Sequence, residues 1–534
     1  MSPTSCQLLY PALYYLKYAS FLHTCQVPLG MSYNKRMLFT IDIGTSNCKS
    51  AVWDFVGKQI AFAAVPLSIS LSDGLRHEAN SAQWLAAFEN CRRRLSATVS
   101  LAAIEAIVIS GNGPSLTPVL KGNQGSEIRD QASRGEVSSL AASVQHSPAS
   151  SPQSPIPHLA PARLWLDRRA VQAAVQVSEL MGGYVDASFF LPKALDIKRN
   201  ESQLYEKTQY FLGCSELLAF ALTGEARTVF PSDGFDRWFW NDAILEQLDL
   251  DKEKFPPFIR PGETFGCLAS PIAARFGFKQ NIPVVSGGPD FFAAILGTGV
   301  VQPGQVCDRA GTSEGINACT TNRITDTRLM SYRHPVTPFW NLSGIVSTTG
   351  KAIEWARDLL GLTSYNDFFT LAQTAQAGSG GLVFLPYLAG ERAPIWNPAA
   401  RGVLGGLSLS SSRPEFARSV IEGICFAIRD VITVMEESGA VIDELRVAGA
   451  SSDGTLLNQV KADITQKPVL VPRHTEAELL GLAIIGACTL GKFASFAEAA
   501  ANFVRIEKVY QPDRNNAALY DTLFEEYQRS KAIC

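Results

Sequence analysis

Three short stretches of the chain combine glycine with carboxylate or hydroxyl side chains, a combination that suits phosphate chemistry. The first is Asp42 followed by Gly44-Thr45-Ser46. A loop of glycine and hydroxyls can aim backbone N–H groups at phosphate, and Asp42 stands where a Mg²⁺ ion would bridge the phosphate oxygens. The alternative interpretation is an ordinary hairpin with a glycine turn, because short glycine loops often bind nothing.

The second stretch is Gly287-Gly288-Pro289-Asp290. Asp290 stands at the start of a predicted apolar helix, where the helix dipole stabilises a carboxylate. A lone aspartate at this position is most often an N-cap. Because two glycines precede it, however, the carboxylate can face a ligand. Asp290 is then a candidate base that takes the proton from a hydroxyl during phosphoryl transfer.

The third stretch is Gly311-Thr312-Ser313, which is chemically like Gly44-Thr45-Ser46. One such loop opens each half of the chain. The two loops therefore look like an internal duplication that grips one polyphosphate from both sides.

Three polar residues are candidates for contact with a substrate. Asn112 follows a predicted strand, and loops after such strands are the usual place for ligand contacts, although a simple turn fits as well. Asp167 lies in a helix predicted to begin at Leu164, where it either caps the helix or binds sugar hydroxyls. Asp233 lies near Trp238 and Trp240, in a polar-aromatic cluster that is either packing or a carbohydrate site.

The elements that position these residues alternate between strands and helices. Met37–Asp54 is predicted to be a hairpin, Ile104–Ser110 and Pro283–Val285 are predicted strands, and Ser202–Leu222 is predicted to be helical. Such alternation is typical of layered α/β domains. The length of 534 residues favours two large domains.

The composition argues against several classes of partner and of structural site. A net charge of −3 gives no general attraction to nucleic acid or to an anionic membrane. The 11 cysteines show no CxxC pair, which fits reduced thiols in a cytoplasmic protein better than a disulfide framework or a zinc site. The six histidines form no ligand-like pair, which also argues against a structural metal.

Two segments are predicted to lie outside the folded domains. Residues 1–36 contain an apolar run, Leu8–Phe21, that is too short to span a bilayer and lacks a basic start. We interpret them as an extension, disordered or not native, with weak membrane association as the alternative. Residues 122–160 are rich in Ser, Ala, Gln and Pro and are predicted to form a mobile insertion without chemistry.

Further segments follow the three loops in an order that matches one enzyme family. They are Phe384 to Pro394, Gly449-Ala450-Ser451, Asn458-Gln459, and Glu476 ahead of Leu480-Gly481-Leu482-Ala483. From about Met37 to Phe496 the chain resembles the FGGY carbohydrate kinases, and within them the xylulokinase-type branch.

The resemblance implies an α/β fold of two actin-like (ribonuclease H-type) ATPase domains, with ATP and sugar in an interdomain cleft. The sugar-binding domain would comprise residues 37–300 and the nucleotide-binding domain residues 301–534. The cofactors would be ATP and Mg²⁺. Dimers are common for such kinases, although no feature of this sequence shows one.

The resemblance also assigns roles, with Asp290 as the base and Asp42 as the residue that organises Mg²⁺. The residues implied to bind ATP or its phosphates are Gly44, Thr45, Ser46, Lys49, Gly311, Thr312, Ser313, Gly449, Ala450 and Asn458. Xylulokinases usually carry Gly-Gln-Met-His-Gly where this chain has Gly111-Asn112-Gly113-Pro114-Ser115. This departure leaves the sugar open between a ketopentose such as D-xylulose and another polyol or sugar acid, of the ribulose, gluconate or glycerol type.

Two alternatives come from other functional classes. The first loop alone also resembles that of actin-like chaperone ATPases, but no β-rich peptide-binding region follows it. A catalytically inactive sugar and ATP sensor would have lost Asp42 or Asp290, and both are present.

Overall fold

The structure is a computed structural model that describes residues 36–122, 158–449, 452 and 454–532. The predictions for residues 1–36 and 122–160 therefore fall outside the described residues, apart from Arg36, Gly122 and residues 158–160. None of the described helices combines the length and the apolar character needed to cross a membrane.

The first half of the described chain is built of strands and helices in alternation. Its strands are β1 (Met37–Ile43), β2 (Asn47–Trp53), β3 (Gln59–Pro66), β4 (Leu71–Asp73), β5 (Arg76–Ala79), β6 (Ile104–Gly111), β7 (Thr117–Leu120), β8 (His158–Leu159), β9 (Ala162–Arg163), β10 (Thr208–Leu212), β11 (Thr228–Val229), β12 (Phe258–Ile259), β13 (Thr264–Cys267) and β14 (Pro283–Pro289). Its helices are α1 (Ala82–Ser96), α2 (Val171–Met181), α3 (Phe190–Asn200), α4 (Ser202–Lys207), α5 (Cys214–Thr223), α6 (Asp242–Gln247), α7 (Ser270–Phe276) and α8 (Asp290–Gly297).

The main sheet of this half has the strand order β13-β14-β6-β1-β2-β3 within the described residues. The predicted hairpin is confirmed, since β1 and β2 pair antiparallel with Asp42 opposite Lys49. Strand β6 runs parallel to both β1 and β14, with Asp42 beside Ser110 and Pro289 beside Gly111. Because the carboxyl ends of parallel strands meet at one edge, this register brings Asp42 and Asp290 to the same edge.

The second half of the described chain also alternates strands and helices. Its strands are β15 (Gly304–Ala310), β16 (Glu314–Thr320), β17 (Met330–Arg333), β18 (Trp340–Val346), β19 (Val383–Leu385), β20 (Val403–Gly405), β21 (Ile442–Gly449), β22 (Val469–Pro472) and β23 (Ile506–Tyr510). Its helices are α9 (Gly350–Leu359), α10 (Tyr365–Gln373), α11 (Arg413–Glu437), α12 (Thr455–Thr465), α13 (Ala477–Thr489), α14 (Phe496–Phe503) and α15 (Ala517–Lys531).

The sheet of this half has the order β17-β18-β16-β15-β21-β22-β23 in the part of the chain that the structure describes. Strands β15 and β16 form an antiparallel hairpin around Gly311-Thr312-Ser313, as β1 and β2 do around Gly44-Thr45-Ser46. Strand β21 runs parallel to β15, with Gly449 beside Ala310. The two glycine-hydroxyl loops therefore occupy equivalent turns of two similar sheets.

Two helices of the second half pack on the sheet of the first half. Helices α13 and α14 belong to the second half, yet their apolar side chains pack with Leu38, Val108 and Val285 of the first sheet. Helix α13 crosses α8 at two glycines, where a Cβ on Gly297 would lie 1.8 Å from a backbone oxygen of the facing helix. The boundary between residues 300 and 301 stays a prediction, and it separates the sheets more cleanly than it separates the helices.

Two predicted helices are wrong. The chain from Leu164 to Arg169 forms one turn, closed by the Asp167 N–H and the Leu164 carbonyl, and no helix. The Arg163 carbonyl accepts from the Leu116 N–H, and the Arg168 N–H donates to the Leu75 carbonyl, so the backbone on either side of the turn bonds to distant residues. The predicted helix Ser202–Leu222 is interrupted by strand β10, which pairs antiparallel with β7. In both segments, contacts with distant residues override the local preference for helix.

Candidate active site

Asp42 lies at the end of β1, where its side chain is only 6% exposed. The Ser110 hydroxyl donates to Asp42 Oδ1 at 2.7 Å. Burial, then the charges of Glu478 and Asp290, raise the pKa of Asp42 to about 7. Three carboxylates are therefore close enough to oppose one another's ionisation, which marks a place that favours positive charge.

Asp290 is the first residue of α8 and keeps one-fifth of its side chain exposed. The Phe291 N–H donates to Asp290 Oδ1 at 2.7 Å, and Arg309 Nη1 donates to Oδ2 at 2.8 Å. Arg309 also reaches Glu478 Oε1 at 3.3 Å. Burial disfavours the charged guanidinium, but Asp290 and Glu478 outweigh it and hold the pKa of Arg309 above its ordinary value. Arg309 thus joins the predicted base to the second sheet.

The first glycine-hydroxyl loop is held from both sides. The Gly44 N–H donates to the carbonyl of Asn47 at 2.9 Å, which closes the turn. The Trp165 indole donates to Thr45 Oγ1 at 2.9 Å, whereas Ser46 is exposed. The loop is therefore closed tightly enough to present hydroxyls and backbone to a ligand.

Lys49 of β2 forms an ion pair with Glu476, just before α13. Burial opposes the charge of Lys49, but Glu476 and Glu478 hold its pKa above the ordinary value. The lysine is therefore charged at the edge that carries Asp42, and it is tied to the second half of the chain.

The second glycine-hydroxyl loop has an exposed tip at Gly311 and Thr312. The Gly311 N–H donates to the Ser313 carbonyl at 2.9 Å, and the Gly350 N–H donates to the Gly311 carbonyl at 3.1 Å. A Cβ on Gly350 would lie 2.3 Å from that carbonyl oxygen, so only glycine allows this approach. The start of α9 is therefore packed directly on the loop.

The predicted nucleotide residues lie beside this loop. Gly449 has a φ of 86°, and a Cβ there would lie 2.1 Å from the Ala310 carbonyl oxygen. The Asn458 amide donates to the Ser452 carbonyl at 2.6 Å, and Ser452 N–H donates back to the Gly449 carbonyl at 3.1 Å. Asn458 thus fixes the turn after β21, whereas Ala450 lies outside the described residues.

Below the second loop lies a buried charge cluster that sequence reasoning missed. Lys461 Nζ contacts Asp308 Oδ2 and donates to Glu314 Oε1 at 2.7 Å, and all three side chains are almost fully buried. Burial and the neighbouring Glu314 raise the pKa of Asp308 well above its ordinary value. The cluster ties α12 to the two strands that carry the loop.

Asn112, the first predicted substrate residue, is buried beside the first loop. Its amide nitrogen donates to the Ile43 carbonyl at 2.8 Å. Its Oδ1 has no hydrogen-bond partner among the described residues. A buried amide oxygen without a partner is costly, so a hydroxyl donor from a ligand would satisfy it.

Asp167 and Asp233 contact none of the other predicted site residues in the described part of the chain. Asp167 is fully buried and accepts hydrogen bonds from Arg169 and from the His77 N–H, and it does not cap a helix. Asp233 is exposed and pairs with Arg260 at 2.9 Å. In the neighbouring aromatic cluster, Trp240 packs between other rings, which favours the packing interpretation.

Lys193 of α3 was also missed by the sequence reasoning. Its fully buried ammonium donates to the carbonyls of Pro114 and Leu164, each at 2.7 Å, and to that of Arg163 at 3.3 Å. All three protons are used, so the side chain cannot reach a ligand. It fastens the loop after Asn112 to the segment that carries Trp165.

The arrangement suits Mg²⁺ held mainly by phosphate. No group of three His, Cys, Asp or Glu side chains in the described residues forms a metal site. Mg²⁺ at nucleotide sites typically takes one or two carboxylates plus substrate phosphates and water. The crowded carboxylates around Asp42 supply the negative charge that such an ion would neutralise.

Comparison with known proteins identifies the family. The model for the FGGY family of carbohydrate kinases, N-terminal domain, matches residues 126–297, and the model for the C-terminal domain matches residues 309–490. The chain belongs to the FGGY family of carbohydrate kinases. It is thus a sugar kinase, and the xylulose kinases among its relatives support the xylulokinase-type branch.

Individual relatives agree with this assignment. Xylulose kinase from Escherichia coli (strain K12) is 25% identical over 512 residues, covering 92% of this chain and 98% of that protein. Gluconokinase from Bacillus subtilis (strain 168) is 26% identical over 396 residues, with coverage of 68% and 76%. The crystal structure of ligand-bound xylulose kinase from Lactobacillus acidophilus matches with a TM-score of 0.77, 23% identity and coverage of 93% and 98%. The last match confirms the two-domain actin-like fold.

Proposed function

We propose that this kinase transfers the terminal phosphoryl group of ATP to a hydroxyl of a small sugar, with Asp290 as the base. The observation that carries the proposal is the junction of Asp290 with Arg309 and Glu478 at the edge that also carries Asp42. Base, cation and metal-binding carboxylate are thus held together between two phosphate-type loops. Such an arrangement suits phosphoryl transfer, in which the protein mainly positions groups and stabilises charge.

The role of Asp290 follows from its surroundings. Each of its oxygens accepts one hydrogen bond, from Phe291 N–H or from Arg309, and retains a free lone pair. A sugar hydroxyl could donate to that lone pair and lose its proton as the phosphorus–oxygen bond forms. A loose transition state needs little proton transfer before the phosphoryl group moves, so a carboxylate that also accepts from Arg309 can serve as the base.

The remaining residues would hold ATP. Backbone groups of Gly44 and Gly311, with the hydroxyls beside them, would contact phosphate, and charged Lys49 would add electrostatic stabilisation. Asp42 would hold Mg²⁺, which neutralises phosphate charge when bound. Gly449 and Asn458 would line the nucleoside end, with Ala450 completing the loop.

The sugar is proposed to be a ketopentose, with D-xylulose the first to test. The xylulose kinases among the relatives support this choice, while the gluconokinase supports a sugar acid as the second candidate. Asn112 offers a buried acceptor for a sugar hydroxyl. Asp167 would position the sugar side of the site indirectly, through Arg169 and its loop. Exposed Asp233 would contact the sugar from the outer edge of the site.

The test is sugar-dependent ADP release over ketoses, polyols and sugar acids. One sugar should stimulate the wild type, and Asp290→Asn should lower kcat by about 10²–10⁴-fold, the usual contribution of general base catalysis. Asp521→Asn, a surface aspartate paired with Arg429, is the matched control and should leave the rate unchanged. A variant Asp290→Asn with wild-type kcat would refute the assigned base.

Location and assembly complete the proposal. We propose a cytoplasmic enzyme, because the described cysteines, six of them fully or nearly fully buried in the cores, are all free thiols. A homodimer is the assembly to test first, by light scattering. Nucleic acid and membrane partners are not part of the proposal.

A further inference from the structure

A cavity of about 350 Å³ lies between the turn that joins β2 to β3 and the segments flanking β22 and β23. Its lining includes Lys58, Arg473, His474 and Arg505, with buried Phe503 at its base. None of these residues belongs to the candidate active site. Three cationic side chains from two different sheets therefore meet around one cavity.

The cations have no acidic partners. In the part of the chain that the structure describes, none of Lys58, Arg473 and Arg505 forms an ion pair. The nearby Asp54 turns its carboxylate into its own turn, where it accepts from the Val56 and Lys58 N–H groups at 3.0 and 2.9 Å. Like charges placed together without a counter-charge repel one another, so a bound anion would stabilise the cavity.

The other neighbours complete this description. His474 is neutral near pH 7, because burial and then Arg473 lower its pKa, while exposed Glu507 acts weakly in the opposite direction. Its ring packs edge-on against Trp53 of β2, with centroids 5.1 Å apart. The cavity thus combines cations, a neutral ring that can donate or accept, and a nearby indole that can report on binding.

The cavity connects to the active site through one short segment. Arg473 and His474 line the cavity, and the next two residues contact Gly449 and Lys49. The Gly449 N–H donates to the Thr475 carbonyl at 3.0 Å, and Glu476 pairs with Lys49. An anion that fixes residues 473–474 would also fix the groups that hold the nucleotide loop and the phosphate-side lysine.

We propose that this cavity binds a small phosphate-bearing anion, and that its occupation lowers the KM for ATP through the segment 473–476. Guanidinium and ammonium groups are the usual protein partners of phosphate. The binding part of the proposal is independent of the proposed function, whereas the effect on KM rests on it.

The binding test uses inorganic phosphate as the probe, with the full-length protein and saturating ADP to occupy the nucleotide site. Calorimetry should show one phosphate site whose affinity falls about tenfold in Arg473→Gln and in Lys58→Gln. Arg514→Gln, an exposed arginine outside the cavity, is the matched control and should retain the wild-type affinity. Thermal melting checks that each variant is folded.

Two results would overturn the site. Equal phosphate affinity in the wild type and both cavity variants would place the ion elsewhere, and tighter binding of citrate than of phosphate would replace phosphate by carboxylate as the ligand. Phosphate should also change the fluorescence of the wild type but not that of Trp53→Phe.

The regulatory part is tested by steady-state kinetics with the sugar that the ADP-release assay identifies. Phosphate should lower the KM for ATP in the wild type and leave it unchanged in Arg473→Gln. An unchanged KM in a wild type that binds phosphate would refute the coupling. If no sugar is phosphorylated, the proposed function fails while calorimetry still decides the site.

Discussion

Replacing Asp42 by asparagine should stabilise the protein while it removes the proposed Mg²⁺ ligand. Burial, Glu478 and Asp290 raise the pKa of Asp42 from 3.8 to about 7. The native state therefore holds this proton more tightly than the unfolded chain does. Protonation of Asp42 therefore contributes fully to the free energy of unfolding below the unfolded pKa, and this contribution is lost as the pH rises through the folded pKa. Asparagine has no charge to lose, and its carbonyl oxygen can still accept from Ser110.

The size of the effect follows from the shift. About three pKa units correspond to about 4 kcal/mol of stability lost by the wild type on going from low pH to above pH 7. About half of this loss falls between roughly pH 5.5 and pH 8. The advantage of Asp42→Asn over the wild type should therefore grow by about 2 kcal/mol across that interval.

Denaturant unfolding of both proteins at the two pH values measures this difference. Asp521→Asn, on the surface, should change stability by less than about 0.5 kcal/mol at either pH. In the presence of ADP, Mg²⁺ should stabilise the wild type more than Asp42→Asn. The reasoning is refuted if Asp42→Asn is no more stable than the wild type near pH 8, or if the difference does not depend on pH.

Three other substitutions test the supports of the site. Lys461→Met leaves two buried carboxylates unpaired and should cost about 3–5 kcal/mol, less at low pH; denaturant unfolding that shows no loss would contradict this. Lys193→Met removes three hydrogen bonds to carbonyls near the sugar side and should raise the KM for sugar more than that for ATP in steady-state kinetics, and an equal rise would indicate general unfolding. Gly297→Ala forces a clash with the facing helix and should cost about 1–3 kcal/mol in thermal unfolding, whereas Gly122→Ala, in open space, should cost almost nothing.

Local patterns were sufficient for the parts of the site that a single segment builds. The hairpin around Gly44 and the helix that begins at Asp290 follow from alternation and from turn residues, and the structure contains both. The convergence of Asp42 with Asp290 depends on the parallel pairing of three strands distant in sequence. That pairing was implied by the family resemblance and not by the local pattern.

Residues that act through distant partners could not be predicted in this way. Nothing in the sequence around Arg309 indicates that it contacts Asp290 and Glu478. Lys193 lies in α3, a helix that the local pattern did not predict, and it is fully buried against three carbonyls. Strand β10 shows the same limit, because its partner β7 is some 90 residues away. The sequence feature that favoured a strand at β10 was its content of Thr, Tyr, Phe and Leu.

The packing of α13 on the first sheet has a consequence for biosynthesis. Strands β1, β6 and β14 are all synthesised by residue 289, but the helix that covers one face of their sheet begins at Ala477. At the usual rate of translation that face stays bare for roughly 10–40 s. During this time it is a surface for aggregation or for chaperone binding. A fragment ending near residue 300 should therefore be insoluble even though it contains every strand of the first sheet.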